Sequence, residues 1–205
     1  MRKPDRGTLL ILTAPSGTGK STLVEMLLDR VPELTFSVSY TTRTPRPHET
    51  NGKDYFFVDE ATFSRMEEEN KFLEYALVHG HHYGTSEELI EQHLTERRDV
   101  LLDVDVQGAT QIMRKRPEAV SVFLLPPSFQ ELRRRLEGRG TENAETIRRR
   151  LERARREVHH CPEFNYIVVN DEPEETYEEM RAIIIAERTR PARRKTTINA
   201  IISTF

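Results

Sequence analysis

Along the 205 residues, apolar stretches of strand length alternate with stretches in which apolar side chains return every third or fourth position. Thr8-Leu9-Leu10-Ile11-Leu12-Thr13, opened by Gly7 and closed by Ala14-Pro15-Ser16-Gly17, has no polar position between its ends and reads as a strand buried on both faces. From Lys20 to Arg30, Leu23, Val24, Leu27 and Leu28 keep helical spacing until Pro32 ends the pattern. The succession returns as Val100–Val104 before a helix near Gln107–Arg114, as Val120–Leu125 before a helix from Ser128, and as Tyr166–Asn170 before a helix from Glu174 to about Glu187. Parallel neighbours need a crossover long enough for a helix, so this alternation predicts an α/β fold, a parallel sheet flanked by helices.

Residues 38–86 break the rhythm. They offer Asp54–Val58, Phe72–Val78 and His82-Tyr83 as strands and a short helix around Glu60–Glu69, which reads as a small mixed α/β insertion. The core is then 1–37 together with 87–205. Within it, Gly138-Arg139-Gly140-Thr141 beside a very arginine-rich helix reads as a loop on a basic hinge, part of a lid over about 137–150. After Pro191 only Ile198, Ile201 and Ile202 suggest periodicity, leaving open a frayed end or a contact with another subunit, and with it a homo-oligomer.

Composition narrows the class. Hydrophobic residues are 36% and charged residues 32%, against norms of roughly 45% and 25%, so a highly charged surface encloses one adequate core. A formal charge of -3 disfavours a globally basic nucleic-acid binder, and any anion recognition is local. The single cysteine, Cys161, allows no intramolecular disulfide and suits a reducing compartment. No apolar run approaches the ~18 residues of a membrane span, so the expectation is a cytoplasmic protein.

The strongest chemical signal is Ala14, Pro15, Ser16, Gly17, Thr18, Gly19, Lys20, Ser21 and Thr22, set between a buried strand and a helix as a phosphate-binding P-loop requires. Glycines let backbone amides turn inward as an anion nest and the helix N-terminus adds its dipole. Lys20 reaches the outer phosphates and the Ser21 hydroxyl can ligate Mg²⁺. Ala14 stands where the motif has glycine, so the loop has to accommodate a methyl group there. Asp103 ends a buried run, the position of a carboxylate at the ligand crevice, and is a candidate for holding the metal. Asp105, two residues on, serves either the metal through water, the acceptor, or the N-cap of the next helix. Arg139, between two glycines, has no packing or pairing reason to be there and reads as an arginine that closes over phosphates. Arg153, Arg155 and Arg156 interleave with glutamates at helical spacing and read as a solvated, ion-paired face. The His79, His81, His82 and His159-His160-Cys161 groups lack the partners of a zinc site.

Together with the P-loop, Ser37-Val38-Ser39-Tyr40-Thr41-Thr42-Arg43-Thr44-Pro45-Arg46, Gly52-Lys53-Asp54-Tyr55, Phe72-Leu73-Glu74, Tyr83-Gly84-Thr85, Asp103-Val104-Asp105-Val106-Gln107-Gly108 and Leu136-Glu137-Gly138-Arg139-Gly140-Thr141 resemble the guanylate kinase family, in order and spacing, from Gly7 to about Glu187. The resemblance implies a P-loop core, a GMP-binding insertion and a lid that close on ATP and GMP, with Mg²⁺. It implies Arg43, Arg46, Tyr55 and Tyr83 around the acceptor phosphate, and Glu74 with Ser39, Thr85 and Asp105 around guanine. It implies Arg139 and Arg150 as lid arginines, and Asn170 near the adenine. Planar forked donors suit a 5′-phosphate, and a carboxylate suits the paired N1–H and amine of guanine. A sugar-phosphate kinase would have no need of Glu74 and Thr85, and a non-catalytic interaction module would have no use for Lys20, Asp103 and Arg139.

Overall fold

The computed structural model describes residues 4–78, 80–138 and 143–205; His79 and the segment with Arg139, Gly140 and Thr141 lie outside them. Strands β1 (Leu9–Thr13), β2 (Leu34–Phe36), β7 (Asp99–Asp103), β8 (Val120–Leu125) and β9 (Tyr166–Val169) form a parallel sheet in the order β2-β7-β1-β8-β9. Every side chain of β1 is buried, which explains its unbroken apolar run. Leu10 and Leu12 face one side with Leu23 and Leu27 of α1 (Lys20–Arg30) and Met180 and Ile184 of α7 (Pro173–Arg188). Leu9 and Ile11 face the other, with Ile90 and Leu94 of α3 (Glu87–Thr95) and Ala109 and Ile112 of α4 (Val106–Lys115). Each such aliphatic side chain contributes about 1.5–3 kcal/mol by burial, so the central strand is the best-anchored element of the molecule.

The insertion forms its own four-stranded sheet, β4-β3-β6-β5, from β3 (Tyr40–Thr41), β4 (Phe56–Phe57), β5 (Phe72–Val78) and β6 (His81–Ser86). Helix α2 (Glu60–Glu68), N-capped by the Asp59 side chain, lays Phe63 on Phe72 with ring centroids 4.5 Å apart. The remaining α-helices among the described residues are α5 (Phe129–Gly138), α6 (Ala144–Glu157) and α8 (Lys195–Ile202). Leu132 and Leu136 of α5 pack with Ala154, Ile147 and Leu151 of α6 in a separate small cluster.

The structure departs from the sequence reading in a few places. The predicted strand over Asp54–Val58 shrinks to Phe56–Phe57, because Asp54 and Tyr55 belong to the turn closed by the Asp54 carboxylate on the Thr50 amide at 2.8 Å. Strands β2 and β3 and helix α3 were not anticipated. The end of the chain is helical rather than frayed, and Asp5 ties it down, accepting from the Thr196 amide at 2.6 Å while its own amide donates to Arg193 O at 2.8 Å. Among the described residues no helix is long and apolar enough to cross a membrane, and no cluster has the makings of a metal site of three or more His, Cys, Asp or Glu.

Candidate active site

The loop from Ala14 to Gly19 leaves β1 in mid-sheet and feeds α1, with φ of 94° at Gly17 and 97° at Gly19. L side chains resist that region, and here there is also no room: a methyl on Gly19 would stand 2.5 Å from Nδ2 of Asn170. The loop folds on itself through Thr18, whose hydroxyl donates to Pro15 O at 2.7 Å. No side chain caps α1, so its first amides remain turned to whatever anion the loop holds. Parallel pairing sets Asp103 opposite Leu12, at the same end of the sheet, and its carboxylate forms a salt bridge with Nζ of Lys20. A 350 Å³ cavity is lined by Ala14 through Thr22 together with Asp103, Asp105, Arg153 and Glu157.

On the other side of the loop, a 380 Å³ cleft is lined by Gly17, Gly19, Thr22, Leu23, Met26, Arg135, Gly138, Asn170, Asp171 and Pro173. Asn170, 5% exposed, donates to Thr18 O at 2.6 Å and accepts from the Thr176 hydroxyl at 3.0 Å. Its side chain therefore braces the loop as well as facing this cleft. Arg135, absent from the sequence reading, reaches from α5 to donate to Thr18 O at 3.1 Å and Asn170 O at 3.0 Å.

The insertion carries a second set of groups. Arg43 forms an ion pair with Glu49 at 2.8 Å and lies over the Tyr55 ring at 5.5 Å. That pairing with Glu49, ahead of all else, raises the Arg43 pKa further and holds Glu49 down to about 2, with help from the Arg46 amide. Arg46 is exposed beside them. Burial pushes the Tyr55 phenol up, reinforced by Tyr83. Glu49 was not anticipated: it lies in a loop without periodicity, where only folding reveals which arginine it orients.

Deeper in, Glu74 is 6% exposed and accepts a hydrogen bond from the Thr85 hydroxyl. A bulge shifts the β5–β6 register between Phe72 and Glu74, so that Glu74 stands opposite Thr85. Burial raises its pKa first of all; the Thr85 bond opposes this, the charge of Asp105 adds to it, and Lys115 lowers it. Asp105 is the N-cap of α4, accepting from Gly108 N at 3.0 Å, because β7 stops at Asp103 rather than extending. Its other oxygen accepts from Arg153 at 3.1 Å. Arg153 does pair with Glu157 on its own helix, as spacing suggested, but it is not a purely solvated arginine: it also lines the phosphate-loop cavity. Arg148 and Arg149 pair with Glu145 on their own helix. Ser39, half-buried, precedes β3, and Arg150 is half-buried on α6.

With this geometry established, similarity to known proteins is informative. The model of the guanylate kinase family matches residues 6–187. The chain is 49% identical to a guanylate kinase of Aromatoleum aromaticum, over 91% of both chains, and 48% identical to that of Escherichia coli K12, over 97% of both. It is similar to the crystal structure of guanylate kinase from Anaplasma phagocytophilum, with a TM-score of 0.75, 34% identity, and coverage of 93% of this chain and 91% of that one.

Proposed function

The chain belongs to the guanylate kinase family, a family of nucleoside monophosphate kinases, and from that premise we propose how its residues divide the ATP-dependent phosphorylation of GMP to GDP. The donor's phosphates lie along residues 14–22, met by the loop amides, the end of α1 and the ammonium of Lys20. Its base takes the cleft between Arg135 and Asn170. The acceptor's 5′-phosphate is held by the forked donors of Arg43 and Arg46 with the hydroxyls of Tyr55 and Tyr83. Its guanine pairs N1–H and the exocyclic amine with Glu74, with Thr85, Ser39 and Asp105 around the ring. Arg139 and Arg150 meet the phosphates from the lid.

Mg²⁺ fits the donor set of the cavity, because Asp103 and the Ser21 hydroxyl are hard oxygen ligands that both line it. Bound there with the nucleotide, it would neutralise charge on the donor's phosphates. The attacking atom is already an anionic phosphate oxygen, so no protein base has to remove a proton. Lys20, Arg43, Arg139 and Arg150 align and neutralise, which is what a loose phosphoryl-transfer transition state needs. Closing the insertion and lid over the substrates excludes water, which in place of GMP would hydrolyse ATP.

The observation that carries this reading is the sharing of one molecule by a phosphate loop with a paired lysine and a buried carboxylate aimed at a hydroxyl, two halves matched to a phosphate donor and a guanine acceptor. Lys20→Ala is expected to lower turnover by at least about a thousandfold while circular dichroism stays that of the wild type, since the pair with Asp103 is partly solvated. Near-normal turnover of that variant in a coupled ADP-release assay would refute the donor-site assignment.

A further inference from the structure

Strand β5 is the outer strand of the insertion sheet and pairs only with β6, so its far edge offers backbone groups to a further neighbour. Helix α4 of the core takes that place with its side chains. Gly108, Gln111 and Lys115 lie three and four residues apart and so share one helical face. Gln111 treats Tyr75 as a neighbouring strand would: Nε2 donates to Tyr75 O at 3.1 Å and Oε1 accepts from Tyr75 N at 3.4 Å. Lys115 Nζ donates to Phe72 O at 3.1 Å. One face of a core helix thus holds the strand backbone on either side of Glu74.

The Glu74 carboxylate stands between these anchors. Oε1 accepts from the Thr85 hydroxyl on β6, and Oε2 lies over Gly108, where a methyl group would be 2.9 Å from it. Backbone conformation does not call for glycine here: Gly108 has no positive φ, and alanine is the better helix former in the first turn of α4. The cap on Asp105 uses the backbone amide, which alanine keeps. The next side chain a methyl would meet, Val104, is 3.3 Å away at Cβ, so the obstacle is the end of the flexible Glu74 side chain. An added methyl is therefore accommodated by displacing the carboxylate rather than by distorting the helix.

We propose that this face of α4 sets acceptor selectivity, with Gly108 and Gln111 as positioning residues that act through Glu74. Gly108 leaves the space in which Oε2 stands, and Gln111 holds the backbone of the next residue so that the carboxylate keeps its depth. The proposal rests on the guanine-reading role given above to Glu74. A carboxylate that must meet two adjacent donors of a flat base tolerates little displacement, so these two residues govern recognition of GMP without touching it.

The test uses the full-length enzyme with Gly108→Ala and Gln111→Met, each alone and combined with Glu74→Ala, measuring kcat and KM for GMP and AMP and following melting by calorimetry. Gly108→Ala is expected to raise KM for GMP about tenfold, keep kcat within about threefold and narrow the preference for GMP over AMP, while melting no lower than the wild type. Gln111→Met, of similar length but unable to bond to Tyr75, is expected to move KM for GMP the same way by about threefold. Beside Glu74→Ala, both changes should alter efficiency with GMP by less than about twofold, because both act through that carboxylate. An unchanged KM for GMP in Gly108→Ala overturns the proposal. So do effects that persist undiminished without the carboxylate, or a loss of activity that follows a fall in melting temperature, the mark of ordinary packing. Failure of Gly108→Ala to fold overturns the part given to the glycine, and the Gln111→Met pair then decides the rest. Glu74→Ala separates the two claims. If it keeps the preference for GMP, the guanine-reading role fails and this proposal with it; if it loses the preference while Gly108→Ala and Gln111→Met keep it, the reading stands and this proposal alone is overturned.

Discussion

In the role proposed for it, Glu74 gives up stability for recognition. Its carboxylate is buried, with one hydroxyl partner and a like charge nearby, so ionisation is harder in the folded chain than in the unfolded one. Between the unfolded and folded pKa values the native state binds more protons, and stability falls as pH rises through that window. Glu74→Gln is therefore expected to raise the melting temperature of the free enzyme at neutral pH by about 2–4 °C, and to flatten this part of the pH–stability curve. The same change removes an acceptor that guanine needs and introduces a donor that adenine N1 can use. Discrimination between GMP and AMP, on the order of 10⁴ for a site built on a required hydrogen bond, is expected to shrink by one to two powers of ten. Calorimetry and catalytic efficiency with both acceptors check the two halves. A variant both less stable and equally selective would show that Glu74 is an ordinary core residue.

Helix α5 makes the corresponding point for an element. Leu132 and Leu136 fix its rotation by packing on α6, and that rotation sends Arg135, out of three consecutive arginines, toward Thr18 and Asn170. Arg135→Ala is expected to raise KM for ATP about tenfold and leave KM for GMP within twofold, because the loop carbonyl and the turn after β9 lose a shared donor. Lysine at this position should recover only part of the loss, since an ammonium that donates to both carbonyls cannot also keep the bonds that the other guanidinium nitrogens make to Glu131 and Asp171 O. Steady-state kinetics with each substrate varied in turn decides it. The same helix shows where the sequence is legible. The alternation of buried runs with helical spacing conveys β1, β7, β8 and β9, and the loop motif, because each is a local pattern repeated several times. Strand β2 is only three residues long and β3 two, too short for any period, and their place comes from pairing with distant chain. Arg135 and Glu49 escaped notice, and Arg153 showed only its helical pairing, for a related reason. Arg153 already had a satisfactory partner on its own helix in Glu157, and its second, Asp105, lies 48 residues away.

At the scale of the whole molecule, the two sheets differ in how they are held. The parallel sheet is sandwiched, with β1 buried along its length between helices on both faces. The insertion sheet has short β3 and β4, exposed Leu77 on its outer strand, α2 laid on it through Phe63, and α4 of the core bonded to β5 at Phe72 and Tyr75. Amide exchange reads local opening free energy, which scales with how much packing must be broken. The slowest amides are therefore expected in β1, β7 and β8, near the limit set by global unfolding, and those of β3, β4 and the outer edge of β5 should exchange orders of magnitude faster. Tyr75 is the exception on that edge, since Gln111 accepts its amide proton from the core side. Substrates should then separate the two bodies. If GMP occupies the site proposed between Arg43 and Glu74, it is expected to slow exchange across β3, β5 and β6, whereas ATP should protect residues 14–22 and the start of α1 and leave the insertion almost unchanged. Uniform protection by either nucleotide alone would mean that the insertion and core already move as one body, and that closure is not driven by the acceptor.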